Sequence, residues 1–256
     1  MSIAAWLGAL TIGLILGLLG SGGSIVTVPV LLYVVDQPDK IAIAGSLAIV
    51  GGIAFVGGVI AAINRRVHAR SVVLFGVPGM AGTYGGAWLA SFVSGATQLV
   101  VFAVVMVLAA WFMLRGRAVD TPAPTGRTGS ALSLGTQGSA VGVLTGFVGV
   151  GGGFLIVPAL VLLGRLPMPV AVGTSLCIVA LNSFAGFWKY RQVLGDAGMR
   201  LDWFVIGSFI IVGAIGSLGG SLISGRIPQT QLQRAFALFL AVMGVFILWQ
   251  NLHRGL

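Results

Sequence analysis

GLLGSGGSIVTVP at residues 17–29 and GFVGVGGGFLIVP at residues 146–158 carry the same glycine cluster, followed by a proline, inside apolar sequence. Residue i aligned with residue i+129 over residues 13–57 gives 16 identities in 45 positions without a gap. The identities include both prolines and the Ser-Leu pairs at 46–47 and 175–176. Self-similarity at a fixed spacing indicates an internal duplication. We therefore predict two related halves.

The composition is that of a membrane protein. Hydrophobic residues make up 57% of the chain, charged residues 7%, and the mean hydropathy is +1.08. Several apolar runs approach the roughly 20 residues that a membrane-spanning helix needs. The net charge of +9 comes from Lys and Arg in short loops, where positive charge orients a membrane protein. We predict an all-α, multi-pass protein of the cell (inner) membrane, with the bilayer as a partner and no nucleic-acid partner.

Eight apolar runs fall into two groups of four, which predicts about eight transmembrane segments. The segment between the groups, RGRAVDTPAPTGRTGS at 115–130, is basic and rich in Pro, Gly and Thr, as a solvated cytoplasmic linker would be. The predicted halves are therefore residues 1–114 and 131–256. The runs cover about 2–35, 41–63, 72–93, 97–114, 131–164, 168–188, 203–223 and 233–252.

The first run of each half is too long for one crossing. Its 34 residues would form a helix of about 51 Å, against a hydrocarbon core of about 30 Å. We expect this run to break or re-enter at its glycine cluster. Irregular backbone at membrane depth survives only where it faces protein or water. The break thus predicts a lined cavity.

Topology depends on whether that first run crosses the membrane. If it crosses, the halves are parallel, and ten Lys and Arg residues are cytoplasmic against four outside. If it re-enters, the halves are inverted, and the split is nine to five. The positive-inside rule favours parallel halves with both termini in the cytoplasm. Inverted repeats are common in secondary transporters, so that arrangement stays open.

Glycines four residues apart predict close helix packing, because they let backbones approach. These pairs are Gly13/Gly17, Gly82/Gly86, Gly142/Gly146 and Gly216/Gly220.

A helix that restarts after a glycine break exposes its first N–H groups and the positive end of its dipole. An oxyanion can accept hydrogen bonds there without a buried cation. We predict that the two breaks meet near the midplane and hold an anion, as discontinuous helices do in transporters. The substrate-binding candidates at the breaks are Ser21, Gly22, Gly23, Ser24, Gly151, Gly152 and Gly153.

Polar side chains at membrane depth extend the predicted site to Ser46, Thr174, Ser175 and Asn182. Ser175 and Asn182 are seven residues apart and share one helix face. Asn182 is the strongest polar candidate, because a buried amide needs a partner more than a hydroxyl that can bond to its own helix. Ile53 occupies the matching position of the first half, so the halves differ in chemistry.

Carboxylate and histidine side chains are absent from the apolar runs. The acidic residues and histidines lie in loops or at run ends: Asp36, Asp39, Asp120, Asp196, Asp202, His68 and His253. This distribution argues against an intramembrane proton relay, a metal site, a cofactor site and a catalytic triad. We predict no enzyme activity, no metal and no cofactor.

The glycine-then-proline pattern, the duplication and AVGTSL at 171–176 together resemble the TauE/SafE sulfite exporter family, also called the toluene-sulfonate uptake permease or DUF81 family. The most specific segments are GVGGGFLIVP at 149–158 and GTSL at 173–176, whereas the first half has AGSL at 44–47. The resemblance covers nearly the whole chain. It implies an exporter or permease of small sulfur-containing anions such as sulfite or sulfonates.

Export suits an anion, because a monoanion leaving a negative cell interior gains about 2.3 kcal/mol per 100 mV. We therefore expect export of a small anionic substrate from the cytoplasm. A passive anion channel, proton-coupled uptake of an organosulfur anion and a noncatalytic scaffold remain as alternatives. The exact substrate and a homodimeric state are left open.

Overall fold

The computed structural model describes residues 2–20, 23–115, 131–149, 156–157, 159–160, 166–224 and 229–253. No strand occurs among them. One helix, Ala69–Ala90, is continuous and contains a π-helical turn at Val72–Gly76. In chain order the helices are α1 (Ile3–Leu19), α2 (Gly23–Tyr33), α3 (Asp39–Ile63), α4 (Ala69–Ala90), α5 (Gly95–Arg115), α6 (Ala131–Val148), α7 (Met168–Asp196), α8 (Trp203–Ser224) and α9 (Gln229–His253).

Four described helices, α3, α4, α7 and α8, are long and apolar enough to cross a membrane. Their outer faces carry exposed apolar side chains, such as Leu222, Ile211 and Phe55, which are 78%, 66% and 64% exposed. Apolar surface of this kind on helices of this length is a lipid-contacting face. The all-helical membrane architecture predicted from composition is thus confirmed, while the number of about eight segments remains a prediction.

The first apolar run is broken at Gly20. This residue has φ +72°, in the left-handed region that glycine enters freely, and its N–H donates to the Leu16 carbonyl at 2.8 Å. Helix α2 then runs back along α1, because Gly23 lies against Leu16 and Val30 lies against Gly8. The run forms a helical hairpin, so α2 returns towards the side on which α1 begins.

Helix α6 ends at Gly149 in the same way. Gly149 has φ +76°, and its N–H donates to the Thr145 carbonyl at 2.9 Å. Residues 150–155 lie outside the described part of the chain, whereas residues 156–157 and 159–160 are helical. Both halves therefore end their first helix on a left-handed glycine, 129 residues apart.

Helices α3 and α7 form an antiparallel pair in the interior. Gly51 of α3 lies against Ser183 of α7, and Gly58 lies against Cys177. Residue numbers rise along one helix as they fall along the other, which fixes the opposite directions.

Helix α1 packs on α8 in parallel. Gly13 lies against Gly213, and Gly17 lies against Ser217. A side chain at either α1 glycine would collide with the α8 backbone. The predicted role of this glycine pair in close packing is confirmed.

Helix α6 packs closely on α4 through glycines in the same way. Gly142 lies against Gly79, and Gly146 lies against Thr83. The remaining predicted glycine pairs belong to these two interfaces, with Gly82 and Gly86 facing α6 and with Gly216 and Gly220 facing α1.

These directions overturn the expectation of parallel halves. Helices α3 and α7 begin 129 residues apart at Asp39 and Met168, and in parallel halves they would run the same way. They run in opposite directions. The hairpin contributes to this arrangement: because α2 returns alongside α1, the first run makes no net traverse of the helix bundle.

Candidate anion site

Two serines, one in each predicted half, form hydrogen bonds with the break of the other half. Ser46 Oγ lies 2.7 Å from the Gly149 carbonyl oxygen, and Ser175 Oγ lies 3.0 Å from the Gly20 carbonyl oxygen. Each hydroxyl is also within 2.8 Å of the carbonyl three residues earlier in its own helix. A hydroxyl has one hydrogen, so each serine shares it between two backbone carbonyls. Both side chains anchor the breaks.

The two breaks lie at different depths. Cys177, two residues after Ser175, lies against Gly58, which is twelve residues beyond Ser46 on α3. At 1.5 Å per residue, the two serines are separated by roughly 20 Å along the helix pair. Gly20 and Gly149 therefore do not meet near the midplane as predicted, because the inverted arrangement places them towards opposite ends of α3 and α7.

The other predicted residues near the breaks have separate surroundings. Thr174 is buried, and its Oγ1 accepts a hydrogen bond from the His68 backbone N–H at 2.9 Å. Gly23 begins α2, and its carbonyl accepts from Thr27 Oγ1 at 2.9 Å. Outside the described residues lie Ser21, Gly22, Gly151, Gly152, Gly153 and the side chain of Ser24.

Asn182 is fully buried, and neither atom of its amide has a hydrogen-bond partner among the described residues. Thr83 Oγ1 and Ser183 Oγ are also buried and have no hydrogen-bond partner among the described residues. Asn182 faces α4, and Ser183 faces α3. Sequence reasoning found Asn182 but missed Thr83, although the hydroxyl sits within the glycine pattern of α4.

A cation lies at one end of α3. Lys40 Nζ donates to the carbonyl oxygens of Ala90 and Val93, each at 2.8 Å, and to Gln98 Oε1 at 2.6 Å. The Ala90 carbonyl belongs to the last residue of α4, where the helix dipole favours a positive charge, and the Val93 carbonyl lies in the turn that follows. These three acceptors use all the donors of an ammonium group.

The Lys40 contacts continue to the second break through Gln98. Gln98 Nε2 donates to Tyr190 Oη at 2.6 Å and to the Phe147 carbonyl oxygen at 2.7 Å. Tyr190 Oη donates to the same carbonyl at 3.1 Å. Phe147 is two residues before Gly149, so the network ties this break to α3, α5 and α7. No sequence signal singled out Gln98 or Tyr190.

An apolar groove of about 760 Å³ lies along α3, α7 and α8. Phe55 and Phe184 line it, and each is 64% exposed. Its hydroxyl and thiol groups come from Ser183 and Cys177. A wall of this composition offers an anion few hydrogen-bond donors, so we do not place the anion there.

Within the described part of the chain, no three His, Cys, Asp or Glu side chains are close enough to hold a metal ion. His68 Nδ1 instead pairs with Ser71 Oγ at 2.9 Å, and Cys177 Sγ lies 3.8 Å from the Gly58 carbonyl oxygen. These groups have local structural roles.

Comparison with known proteins identifies the family. The sequence model of the family described as "Sulfite exporter TauE/SafE" matches residues 5–247. A probable membrane transporter protein of Xylella fastidiosa (strain 9a5c) is 34% identical over 245 residues, which is 94% of this chain and 92% of the relative. Probable membrane transporter protein YunE of Bacillus subtilis is 27% identical over 268 residues, covering 94% and 96%.

A more distant relative, probable membrane transporter protein MJ0441 of Methanocaldococcus jannaschii, is 24% identical over 251 residues, 93% of each chain. No solved structure matches the chain significantly. The match to the family extends over both breaks and all the helices that surround them. The chain therefore belongs to the TauE/SafE family.

Proposed function

We propose that this protein is a multi-pass transporter of the cell (inner) membrane that exports small sulfur-containing anions, sulfite or an organosulfonate, from the cytoplasm. The family description supports the substrate class, and the names of the relatives support transport. The partners in this proposal are the anion and the lipid bilayer, with neither a metal nor a cofactor.

The reciprocal anchoring of the two breaks is the observation that carries the proposal. Ser46 binds the Gly149 carbonyl, and Ser175 binds the Gly20 carbonyl. Because a serine of each half hydrogen-bonds to the break of the other half, the two breaks are an integral part of the fold. The first N–H groups of a helix that starts at Gly23 have no partner within that helix, and an oxyanion can bind to such groups without a buried cation. Secondary transporters hold substrates at discontinuous helices of this kind.

The duplication into residues 1–114 and 131–256 is part of the proposal. Equivalent contacts support it, because the Gly20 and Gly149 turns, the Ser46 and Ser175 anchors and the prolines before α3 and α7 all keep a spacing of 129 residues. In the third long helix of each half the spacing is 134 residues. There the glycine pattern of α4 matches that of α8: Gly79, Gly82, Thr83 and Gly86 with Gly213, Gly216, Ser217 and Gly220.

Inverted halves lead to a definite topology. Of the eight apolar runs, six would cross the membrane, and the first run of each half would re-enter it. Nine Lys and Arg residues then lie on the side of the 115–130 linker, and five lie on the other. The positive-inside rule places the linker in the cytoplasm. The Gly20 break then lies towards the cytoplasm, and the Gly149 break lies towards the outside.

The membrane potential and the positions of the described acidic residues support export. A monoanion that leaves a negative interior gains about 2.3 kcal/mol per 100 mV. Uptake against that potential needs a coupling ion, for which intramembrane carboxylates are the usual ligands. The described acidic residues, Asp36, Asp39, Asp196 and Asp202, lie in loops or at helix ends.

Purified protein in liposomes loaded with radiolabelled sulfite tests the proposal. We expect efflux that saturates with sulfite, shows counterflow and accelerates when the loaded side is made negative. Gly22→Leu and Gly151→Leu should abolish this flux while the protein still inserts.

The controls separate the alternatives. Flux without saturation or counterflow would indicate a passive channel, and the absence of any flux would favour a scaffold. Acceleration by an inward proton gradient with uptake of the anion would favour a proton-coupled permease. Gly219→Leu is the matched control, because a Cβ atom at Gly219 meets nothing within 4 Å.

A further inference from the structure

Asn182 and Thr83 form a pair of buried polar groups that the protein itself leaves unpaired. Both residues are 0% exposed, and the amide oxygen, the amide nitrogen and the hydroxyl have no partner among the described residues. Buried polar groups in native proteins are normally hydrogen-bonded, and exceptions call for a bound molecule or a function. Three such atoms on two facing helices therefore point to a ligand.

The two side chains lie on facing surfaces of α7 and α4. A Cβ atom on Gly79 would lie 3.0 Å from Asn182 Oδ1 and 3.1 Å from Nδ2, so the amide faces bare backbone. One turn further along both helices, Thr83 Cγ2 lies 3.0 Å from the Cβ position of Gly186. The two residues are thus offset by four residues, or about 6 Å along the axes, a span that one small oxyanion can bridge.

This pair lies between the two breaks. Asn182 is seven residues from Ser175 on α7. It is also one turn from Gly186, which lies against Leu47, the neighbour of Ser46. Asn182 is therefore about 10 Å along the helix from the level of each anchoring serine. An anion that passes from one break to the other reaches it halfway.

The surroundings carry no charge. The titratable side chains of α4 and α7 are Arg70, Tyr84, Cys177, Lys189, Tyr190, Arg191 and Asp196, and α6 has none. None of these side chains forms a hydrogen bond with the Asn182 amide or Thr83 Oγ1. A dianion without a countercharge is far more costly to bury than a monoanion, because the desolvation cost grows with the square of the charge.

We infer that Asn182 and Thr83 form a midway subsite for a singly charged oxyanion that still carries a proton, with hydrogen sulfite as the substrate that fits. This inference rests on the proposed export of sulfur anions. The Asn182 carbonyl accepts the hydrogen of the protonated oxygen, while its NH₂ group and the Thr83 hydroxyl donate to the other oxygens. A sulfonate has no hydrogen to donate, so it would leave the Asn182 carbonyl unpaired. The subsite therefore favours hydrogen sulfite over both the sulfite dianion and sulfonates.

The full-length protein in liposomes tests this subsite with radiolabelled sulfite, with methanesulfonate as the competitor, from mildly acidic to mildly alkaline pH. For the wild type, the half-saturation constant for total sulfite should rise with pH as hydrogen sulfite is depleted, and methanesulfonate should compete at least tenfold more weakly. Asn182→Ile, which copies Ile53, should raise the constant about tenfold and remove the discrimination, because a hydrogen bond to a charged ligand is lost. Thr83→Val should cause a smaller rise in the constant. Because valine is isosteric with threonine, this variant still tests the subsite if Asn182→Ile folds poorly.

Thr11→Val is the matched control, since Thr11 is exposed and bonds only to the Leu7 carbonyl of its own helix. Unchanged sulfite affinity and discrimination in both subsite variants would overturn the subsite while leaving sulfur-anion export intact. Equal wild-type affinity for methanesulfonate and sulfite at all pH values would overturn the requirement for a proton. A wild-type protein that moves no sulfur anion would remove the export proposal and the subsite with it.

Discussion

Asn182 on α7 and Ile53 on α3 occupy equivalent positions, and each packs against a glycine of a neighbouring helix. Asn182 faces Gly79 of α4, whereas Ile53 faces Gly213 of α8. The backbone arrangement is the same on both sides, but one contains an unpaired amide and the other is apolar. The two positions thus share packing against a glycine but differ in polarity, and the polar position is the better candidate for binding.

The two breaks also differ in the polar side chains around them. The Gly149 break is held by Ser46 and by the Lys40, Gln98 and Tyr190 network. At the Gly20 break, the positions equivalent to Lys40 and Tyr190 are Pro169 and Ala61, which have no polar side chain. Among the described residues, the Lys40, Gln98 and Tyr190 network therefore has no equivalent at the positions that correspond to it near the Gly20 break.

The largest effect should come from filling either left-handed turn. Gly149→Leu and Gly20→Leu should each lower folding stability by more than about 3 kcal/mol, because a side chain at positive φ is strained and would collide with Ile43 or Val172. Thermal unfolding in detergent measures the loss. Gly219→Leu should have little effect, and equal melting temperatures for all three variants would contradict the prediction.

The next effect should come from the network that only the second break possesses. Gln98→Leu should cost about 2 to 3 kcal/mol, because Lys40, Tyr190 and the Phe147 carbonyl each lose a partner. Denaturant or thermal unfolding measures this change. Gln192→Leu is the exposed control, and a loss as small as that of the control would show that the network does not stabilise the break.

Removal of the Ser46 and Ser175 hydroxyls should affect the two breaks differently. Ser46→Ala and Ser175→Ala should each cost about 1 to 2 kcal/mol, since a buried carbonyl loses its donor. The larger effect on sulfite flux should follow Ser175→Ala, because Ser46→Ala leaves the Lys40, Gln98 and Tyr190 network at the Gly149 break in place. Ser221→Ala, at an exposed serine, is the control. Equal flux in the two anchor variants would remove the functional distinction between the breaks.

The smallest effect concerns stability at Asn182. Asn182→Ile should raise folding stability by about 0.5 to 1 kcal/mol, because it removes an unpaired buried amide at a position where the other half accepts isoleucine. Thermal unfolding of the empty protein measures the gain. A marked loss would indicate that the amide is needed for packing, which would weaken its assignment to ligand binding.

Several features could be predicted from local pattern. The hydrophobic runs indicated membrane helices, the glycine clusters located the first break, and the glycines at four-residue spacing marked two tight interfaces. The buried amide of Asn182 was also found, because an asparagine in an apolar run stands out. These properties depend on residue type and on spacing within one helix.

Other features had no local signal. Ser46 and Gly149 are 103 residues apart, and Gln98 and Tyr190 are 92 apart, so nothing near either residue identifies its partner. The relative direction of the halves was left open, with parallel halves favoured, for a related reason. The charge split changes only from ten against four to nine against five between the alternatives, which is too small a difference to decide between them.

Residue order alone thus determined an all-helical membrane protein whose first helix is interrupted at a glycine, because apolar length and backbone freedom act within a few turns. The packed fold settled which way each half faces, which carbonyl each serine holds, how far apart the breaks lie and which polar groups stay unpaired. Those properties arise from contacts between distant helices. Their geometry is fixed only when α2 turns back and α3 meets α7 in the opposite direction.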